Sequence, residues 1–149
     1  DFLKRLEQIA PDVKFDMYGI NNVQPIWADH YFKTISNAKM GLNLSRGEAI
    51  KYYSSDRITQ IVGNGLVCLI DEKTQYNNFF DKNEMIFYKK TDDLSEKIQK
   101  ISRDEKLRKK IGRNGKKKYM KYFNSNLVAQ FIIEKTLEAS SKKKYLWSK

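Results

Sequence analysis

A short apolar run near the middle of the chain, Leu66 to Ile70, constrains the fold more than any other stretch. This run is too short for a helix. It is also too uniformly apolar for a strand with one solvent-exposed face, so it predicts a parallel strand that is covered on both faces of its sheet. The segment before it predicts a helix that Ser55 or Asp56 can cap and that Gly63 to Gly65 ends. The apolar face of this helix consists of Ile58, Ile61 and Val62. Helix, glycine turn and buried strand in this order indicate an α/β domain.

The N-terminal part of the chain predicts the same alternation of helix and strand. Apolar residues at helical spacing begin at Phe2, and an alternating pattern predicts a strand over 13–18. Asp29 can cap a second helix, which leads to a strand over 40–44. Because helices separate these strands, we expect parallel pairing through right-handed crossovers.

The C-terminal part predicts one further strand and three longer helices. A short helix over 76–80 precedes a strand over 85–88. The first longer helix starts at Thr91 or Asp92, the second begins near Asp104, and Asn124 or Ser125 caps the third. With 149 residues, the chain is long enough for one domain with a core and hardly for two.

The last two helices carry more specific expectations. Gly112 and Gly115 each weaken the first of them by about 1 kcal/mol relative to alanine, so this helix can break there. The second is expected to bury an apolar stripe made of Leu127, Val128, Phe131, Ile132 and Leu137. Together the elements predict one Rossmann-like domain over 1–140, with a short parallel sheet flanked by helices in three layers, followed by a flexible basic tail over 141–149.

Ligands of open parallel sheets bind where the carboxyl ends of the strands meet loops and helix N-termini. The segments that satisfy this rule are 18–22, 45–48, 55–57 and 71–74. A helix N-terminus offers free N–H groups and about half a positive charge. Arg46 and Arg57 add forked donors that match phosphate oxygens. The residues therefore predict a diphosphate site at this edge, although Arg57 could instead pair with Asp56 or a neighbouring helix.

The order of these segments resembles the C-terminal domain of GT-B glycosyltransferases, in particular the CgeB-like group of glycosyl transferases group 1. That family has roughly R-x-F-E-A-x-A-x-G before a strand, where this chain has R-I-T-Q-I-V-G-N-G over 57–65. Upstream, 38–45 resembles the strand that precedes this motif in the family. Downstream, the segments that keep the family's order are Phe79-Phe80, 84–88, 92–94 and 111–115. The resemblance covers about residues 10 to 135.

The resemblance implies that 1–140 is a nucleotide-sugar-binding domain, one half of a GT-B fold. The donor-binding residues that it implies are Ser45, Arg46, Gly47, Glu48, Ser55, Arg57 and Gln60. The loop over 45–48 would line the sugar and diphosphate, and Arg57 would lie near the phosphates. Gln60 would replace a glutamate that usually holds the ribose. An amide loses the charge-assisted hydrogen bond of that glutamate, which is roughly twice as strong as a neutral one.

The implied activity is transfer of a sugar from a nucleoside-diphosphate sugar, the co-substrate, to a carbohydrate, lipid or protein acceptor. No further cofactor and no metal are implied. The active site of a GT-B enzyme lies between two domains, so the missing N-terminal GT-B domain is an expected partner. The catalytic residues remain unassigned, and we expect this chain alone to bind a nucleotide weakly and to transfer no sugar.

The net charge of +11 supports a second interpretation. Residues 1–102 carry 14 basic and 14 acidic residues, whereas 103–149 carry 15 basic and 4 acidic ones. A basic region with interleaved aromatic residues is typical of a nucleic-acid or anionic-surface binding module without catalysis. It is also a candidate for peripheral contact with a membrane, and a solvated lysine-rich helix is the plainest explanation.

Several other classes find no support in the sequence. His30 and Cys68 are the only residues of their types and give no metal-ligand spacing. No Walker loop or G-x-G-x-x-G fingerprint is present. No apolar run approaches the roughly 20 residues of a membrane span, so the expected location is cytoplasmic, with contact at the inner face of the membrane as the alternative.

Overall fold

The structure is a computed structural model that describes residues 2–45, 47–53, 55–138 and 144–148. Its helices and strands, in chain order, are α1 (Phe2–Ile9), α2 (Ala28–Asn37), β1 (Met40–Asn43), α3 (Asp56–Gly63), β2 (Val67–Asp71), β3 (Ile86–Tyr88), α4 (Thr91–Arg103), α5 (Glu105–Tyr122) and α6 (Ser125–Thr136). Two 3-10 turns, Glu72–Thr74 and Tyr76–Asn78, lie between β2 and β3.

The three strands form a parallel sheet in the order β1-β2-β3. In the middle strand, the side chains from Val67 to Ile70 are all buried. A strand that is hydrogen-bonded on both edges and covered on both faces needs an uninterrupted apolar sequence. The predicted fold class, a small α/β domain with a short parallel sheet flanked by helices, is therefore confirmed.

One face of the sheet, here called the α3 face, packs tightly against α3 and α5. Its core includes Cys68 and Ile70 of β2, the apolar residues of α3, and Phe80. A methyl group added at Gly112 of α5 would overlap the carbonyl oxygen of Gly65, and one at Gly115 would overlap that of Glu84. The break that these glycines allow does not occur, since α5 runs without interruption. Both glycines instead let the helix approach these loops closely.

The opposite face, here called the α1/α4 face, packs against α1 and α4. Its core consists of Leu6, Leu69, Tyr88, Leu94 and Ile98. Side chains alternate between the two faces along a strand, so Leu69 contacts this core while its neighbours Cys68 and Ile70 belong to the other.

The predicted strand over 13–18 is wrong. These residues have no strand assignment and pair with no strand among the described residues. Val13 and Phe15 pack against the core of the α1/α4 face, and residues 13, 15 and 17 are each more buried than their neighbours. An alternating pattern therefore indicates an extended segment that is buried on one side. It does not indicate whether the backbone forms hydrogen bonds with another strand.

The predicted helix caps have mixed outcomes. The carboxylate of Asp104 accepts a hydrogen bond from the N–H of Leu107 at 2.8 Å, and Asn124 Oδ1 accepts from Leu127 at 3.0 Å, as expected of caps. Asp29 was expected to cap α2, but the N-cap position belongs to Trp27 and Asp29 lies in the first turn.

Helix α6 has no buried residue, so its predicted apolar stripe is wrong. Leu137, expected to be buried, is 72% exposed, and Ile132 is 57% exposed. Phe131 is half-buried because its ring lies 5.0 Å from Tyr145 and 5.9 Å from Trp147. Tyr145 and Trp147 of the predicted basic tail thus pack on α6, while 141–143 and 149 lie outside the described residues. In the described ranges, no helix combines the length and the apolar content that a membrane crossing requires.

Candidate functional site

A cavity of about 580 Å³ opens at the carboxyl edge of the sheet, the edge that the sequence predicts for ligands. This volume falls in the range of about 300–1,000 Å³ that small-molecule sites occupy. The ends of β2 and β3, the loop after β1 and the N-terminal ends of α1 and α4 contribute. The lining residues are Phe2, Leu3, Lys4, Ile20, Asn21, Leu44, Ser45, Gly47, Ala49, Asp71, Tyr88, Lys89, Lys90 and Thr91.

The last residues of β2 and β3 form the inner wall of this cavity. Asp71 and Tyr88 are partners in the parallel ladder, and partner residues project to the same face, here the α1/α4 face. The ring of Tyr88 packs 6.4 Å from the ring of Phe2. Burial, together with the negative charges of Asp71 and Cys68, raises the pKa of Tyr88 to about 12. Its hydroxyl is therefore protonated at neutral pH.

The N-terminus of α4 borders the cavity but already holds a carboxylate. Asp93 Oδ2 accepts a hydrogen bond from the N–H of Lys89 at 2.9 Å, and Asp93 forms an ion pair with Lys97 at 2.7 Å. Burial alone would raise the pKa of Asp93, but the hydrogen bonds and charges of these lysines outweigh it and lower the pKa. The positive charge available at this border therefore comes mainly from the exposed side chains of Lys4 and Lys90.

Two residues of the predicted 45–48 loop line the cavity, namely Ser45 and Gly47. Gly47 has φ +76, in the left-handed region that glycine adopts without strain. Glu48 is exposed and is not part of the lining. Arg46 lies outside the described residues, so its predicted contact with phosphate stays a prediction.

Two other predicted residues, Ser55 and Arg57, hold the loop after β1 from the α3 face. The hydroxyl of Ser55 donates to Asn43 Oδ1 at 3.2 Å, and Arg57 Nη1 donates to the carbonyl oxygen of Leu44 at 2.6 Å. Ser55 occupies the N-cap position of α3 but makes no capping hydrogen bond, which corrects the expected cap. The alternative pairing of Arg57 with Asp56 is absent from the described contacts, and the carbonyl of Leu44 is the observed partner.

Gln60 lies one turn further along α3 and is half-buried on the α3 face. It does not line the cavity. Its backbone carbonyl oxygen accepts a hydrogen bond from Asn64 Nδ2 at 2.8 Å, at the C-terminal end of the helix. The structure therefore brings Ser45 and Gly47 together with the strand ends, places Ser55 and Arg57 behind them as supports, and leaves Gln60 apart.

The sequence missed the residues of the lining that come from α1, β3 and the start of α4. The rule that picked the ends of the other strands also applies to the end of β3, so Tyr88 to Thr91 could have been found in that way. Phe2 and Lys4 carry no such signal, because α1 reaches the cavity only through the packing of the α1/α4 face.

In the described ranges, no group of three or more His, Cys, Asp or Glu residues could hold a metal ion.

Comparison with known proteins gives one match. A family model described as Glycosyl transferase-like matches residues 1–134. This range includes the whole sheet, helices α1 to α5 and every residue that lines the cavity. No curated protein and no solved structure gives a significant match.

Proposed function

The chain belongs to the glycosyl transferase-like family, and from this premise we propose that it is the donor-binding domain of a GT-B glycosyltransferase of the CgeB-like type. In this proposal the chain holds a nucleoside-diphosphate sugar whose sugar passes to a carbohydrate, lipid or protein acceptor. The observation that carries the proposal is the cavity at the carboxyl edge of the sheet, which the loop after β1 borders.

The loop after β1 is suited to bind a ligand because it is held from behind. Arg57 fixes the carbonyl of Leu44, and Ser55 fixes Asn43, whose side chain is 3% exposed. Ser45 and Gly47, the next residues described, are thereby presented to the cavity. A preorganised loop loses less conformational freedom when it binds a ligand, and this raises affinity.

The charges around the cavity fit the diphosphate of such a donor. Lys4 and Lys90 line it, and Asp71 is the acidic residue of the lining. Lys89 also lines the cavity, but its ammonium group forms an ion pair with Glu72 at 3.6 Å. Arg57 is exposed and uses one donor on the carbonyl of Leu44. Arg57 lies behind the loop and outside the cavity lining, so we assign it to the support of the loop.

The proposal includes a second domain that closes the cavity and supplies the catalytic residues. The cavity lies at the surface of this domain, and a group-transfer site gains rate when its partner groups are held together with water excluded. We propose that the N-terminal GT-B domain fulfils this role. Detectable sugar transfer by this chain alone would overturn this part of the proposal.

The first test is calorimetry of the chain with UDP, GDP, CDP and ADP at near-physiological ionic strength, where exposed charges are screened beyond about 8 Å. We expect saturable binding of one nucleotide. Arg57→Ala should weaken it about tenfold, because the loop after β1 loses the hydrogen bond that holds it. Arg103→Ala is the matched control, since Arg103 pairs with Asp12 away from the cavity. Absence of binding to all four nucleotides would overturn the donor-binding role.

The exposed basic face of α5 favours a second function, contact with an anionic membrane surface at the cytoplasmic side. Its exposed basic residues are Lys106, Lys109, Lys110, Arg113, Lys116, Lys117 and Lys121. Each lysine or arginine near an anionic lipid surface contributes about 1 kcal/mol. Sedimentation with vesicles of phosphatidylcholine, with and without phosphatidylserine, tests this contact. Binding that requires phosphatidylserine supports it, and equal binding to RNA would instead favour a general polyanion module.

A further inference from the structure

Two polar side chains lie next to each other on the inner wall of the cavity. Asp71 ends β2, Tyr88 ends β3, and the two are register partners in the parallel ladder. Both line the cavity. Tyr88 is only 5% exposed, because its ring packs in the core of the α1/α4 face with Leu6 and Leu94. The core therefore fixes where its hydroxyl is presented.

Each of the two side chains keeps hydrogen-bonding capacity that the described residues leave unused. Tyr88 Oη makes no hydrogen bond within the described ranges. Asp71 Oδ1 accepts from the N–H of Lys73 at 2.8 Å, while Oδ2 accepts from no described donor. Neither atom is buried without a partner, so both are accessible from the cavity. A ligand that bonds to both side chains would replace water at these atoms.

The chemistry of the pair selects the type of ligand. A carboxylate accepts hydrogen bonds only, whereas a protonated phenol donates one and also accepts. The raised pKa of Tyr88 keeps its hydroxyl a donor up to alkaline pH. A donor beside an acceptor matches two neighbouring hydroxyl groups of a sugar, each of which both donates and accepts. The charge of Asp71 repels phosphate, so the diphosphate is expected at the lysines.

The surroundings of the pair also fit a sugar ring. The ring of Phe2 lies 6.4 Å from that of Tyr88 at an interplanar angle of 27°. Leu3 and Leu44 extend this apolar surface along the cavity. Sugars carry C–H groups on their ring faces, so an apolar wall beside a donor and an acceptor offers complementary contacts to both parts of the molecule.

We propose that Asp71 and Tyr88 form a subsite that binds the hydroxyl groups of a sugar. The inference rests on the proposed function, because it assigns the sugar of that reaction to a place in the cavity. The sugar can come from the nucleotide donor or from a carbohydrate acceptor. The chemistry of recognition is the same for both, and the experiment distinguishes them.

The experiment measures dissociation constants for UDP, UDP-glucose, GDP, GDP-mannose and the methyl glycosides of glucose and mannose. It compares the whole chain with Tyr88→Phe and Asp71→Asn, which keep the shapes of the side chains. Tyr53→Phe and Asp12→Asn are matched controls outside the cavity lining, and circular dichroism checks folding. We expect each cavity variant to bind the sugar-bearing ligand about 3- to 10-fold more weakly, the value of one hydrogen bond, with nucleotide binding unchanged.

The outcomes separate this inference from the proposed function. Weaker binding of the nucleotide sugar, with unchanged binding of the nucleotide, assigns the subsite to the donor. Weaker binding of a methyl glycoside alone assigns it to an acceptor. Unchanged binding of every sugar, or no sugar binding by the wild-type chain, overturns the subsite while nucleotide binding still supports the donor domain. Sugar binding without any nucleotide binding keeps the subsite and overturns the donor domain.

Discussion

The two faces of the sheet use their polar side chains differently where the strands end. On the α3 face, Ser55 bonds to Asn43 and Arg57 bonds to Leu44, so these side chains are engaged within the protein. On the α1/α4 face, Asp71 and Tyr88 line a cavity and keep unused hydrogen-bonding capacity toward it. The motif that is most visible in the sequence thus supports the site, and the open cavity lies against the other face.

The packing of the two faces differs in the same way. The α3 face brings α5 so close that Gly112 meets the Gly65 carbonyl. The α1/α4 face ends in a cavity of about 580 Å³. A tightly packed face holds the strand ends in place, while the open face leaves room for a ligand.

The largest expected effect tests the tight packing of the α3 face. Gly112→Ala places a methyl group against the backbone of the Gly65 turn, which cannot move away as a flexible side chain could. Overpacking typically costs 1–3 kcal/mol, and we expect about 3 kcal/mol or more here because the obstacle is backbone. Urea unfolding measures the loss. Gly63→Ala is the control, since its methyl group would meet only Met120 at 3.7 Å, and an equal loss there would refute the explanation.

Unfolding at alkaline pH allows a comparison of one buried ionisable group on each face, Cys68 on the α3 face and Tyr88 on the α1/α4 face. Burial raises the pKa of Cys68 from 9.0 to about 12, and that of Tyr88 rises from 10.0 to about 12. The unfolded chain therefore releases these protons first, and stability falls as pH rises from 9 toward 12. The Cys68 contribution amounts to about 1 kcal/mol by pH 10.

Urea unfolding from pH 8 to pH 10.5 in two variants separates these contributions. Cys68→Ala should remove the loss that begins near pH 9, and Tyr88→Phe only the part that begins near pH 10. A wild-type stability that is flat across this range would show that neither group is held protonated by the fold.

Ser55→Ala tests the support that the α3 face gives to the loop after β1. The substitution leaves the buried Oδ1 of Asn43 without its partner, which we expect to cost about 1 kcal/mol of unfolding free energy. Nucleotide binding should weaken as well, because the loop is less ordered. Ser125→Ala is the control at the start of α6, where Asn124 supplies the cap. Unchanged binding by the Ser55 variant would separate the support from the cavity.

The smallest effect concerns the border of the cavity at α4. The pKa of Asp93 is lowered from 3.8 by Lys97 and Lys89 against the opposing effect of burial. Its contribution to stability is therefore present above pH 3.8 and is lost as pH falls through the lower, folded-state pKa. Because this pair is about one-third exposed, we expect less than about 1 kcal/mol. In Asp93→Asn, the free energy of unfolding should fall less steeply as the pH is lowered below 3.8. Asp92→Asn should change this pH dependence less.

Much of the fold follows from local pattern. The uniform apolar run of β2 predicts a strand covered on both faces, and the caps at Asp104 and Asn124 are where the sequence places them. These features depend on neighbours in the chain. The alternation over 13–18 fails as a strand prediction because pairing requires a partner strand, and the sequence of the segment carries no information on its partner.

Helix α6 marks the same limit for burial. Its apolar residues predict a buried stripe, yet Ile132 and Leu137 are mostly exposed in the structure. Apolar residues on one face of a helix favour burial of that face, but another element must be present to cover it. The half-buried position of Phe131 depends on Tyr145 and Trp147, which a helical pattern does not include.

For the site, the sequence by itself determined the edge at which the cavity opens and the residues of the loop after β1. These follow from the order of helices and strands, because parallel strands all end at one edge. Only the tertiary structure decided that Arg57 supports this loop from the α3 face and that Asp71, Tyr88 and Phe2 meet on the other. Which face a side chain takes depends on strand register and helix packing, which bring together residues far apart in the chain.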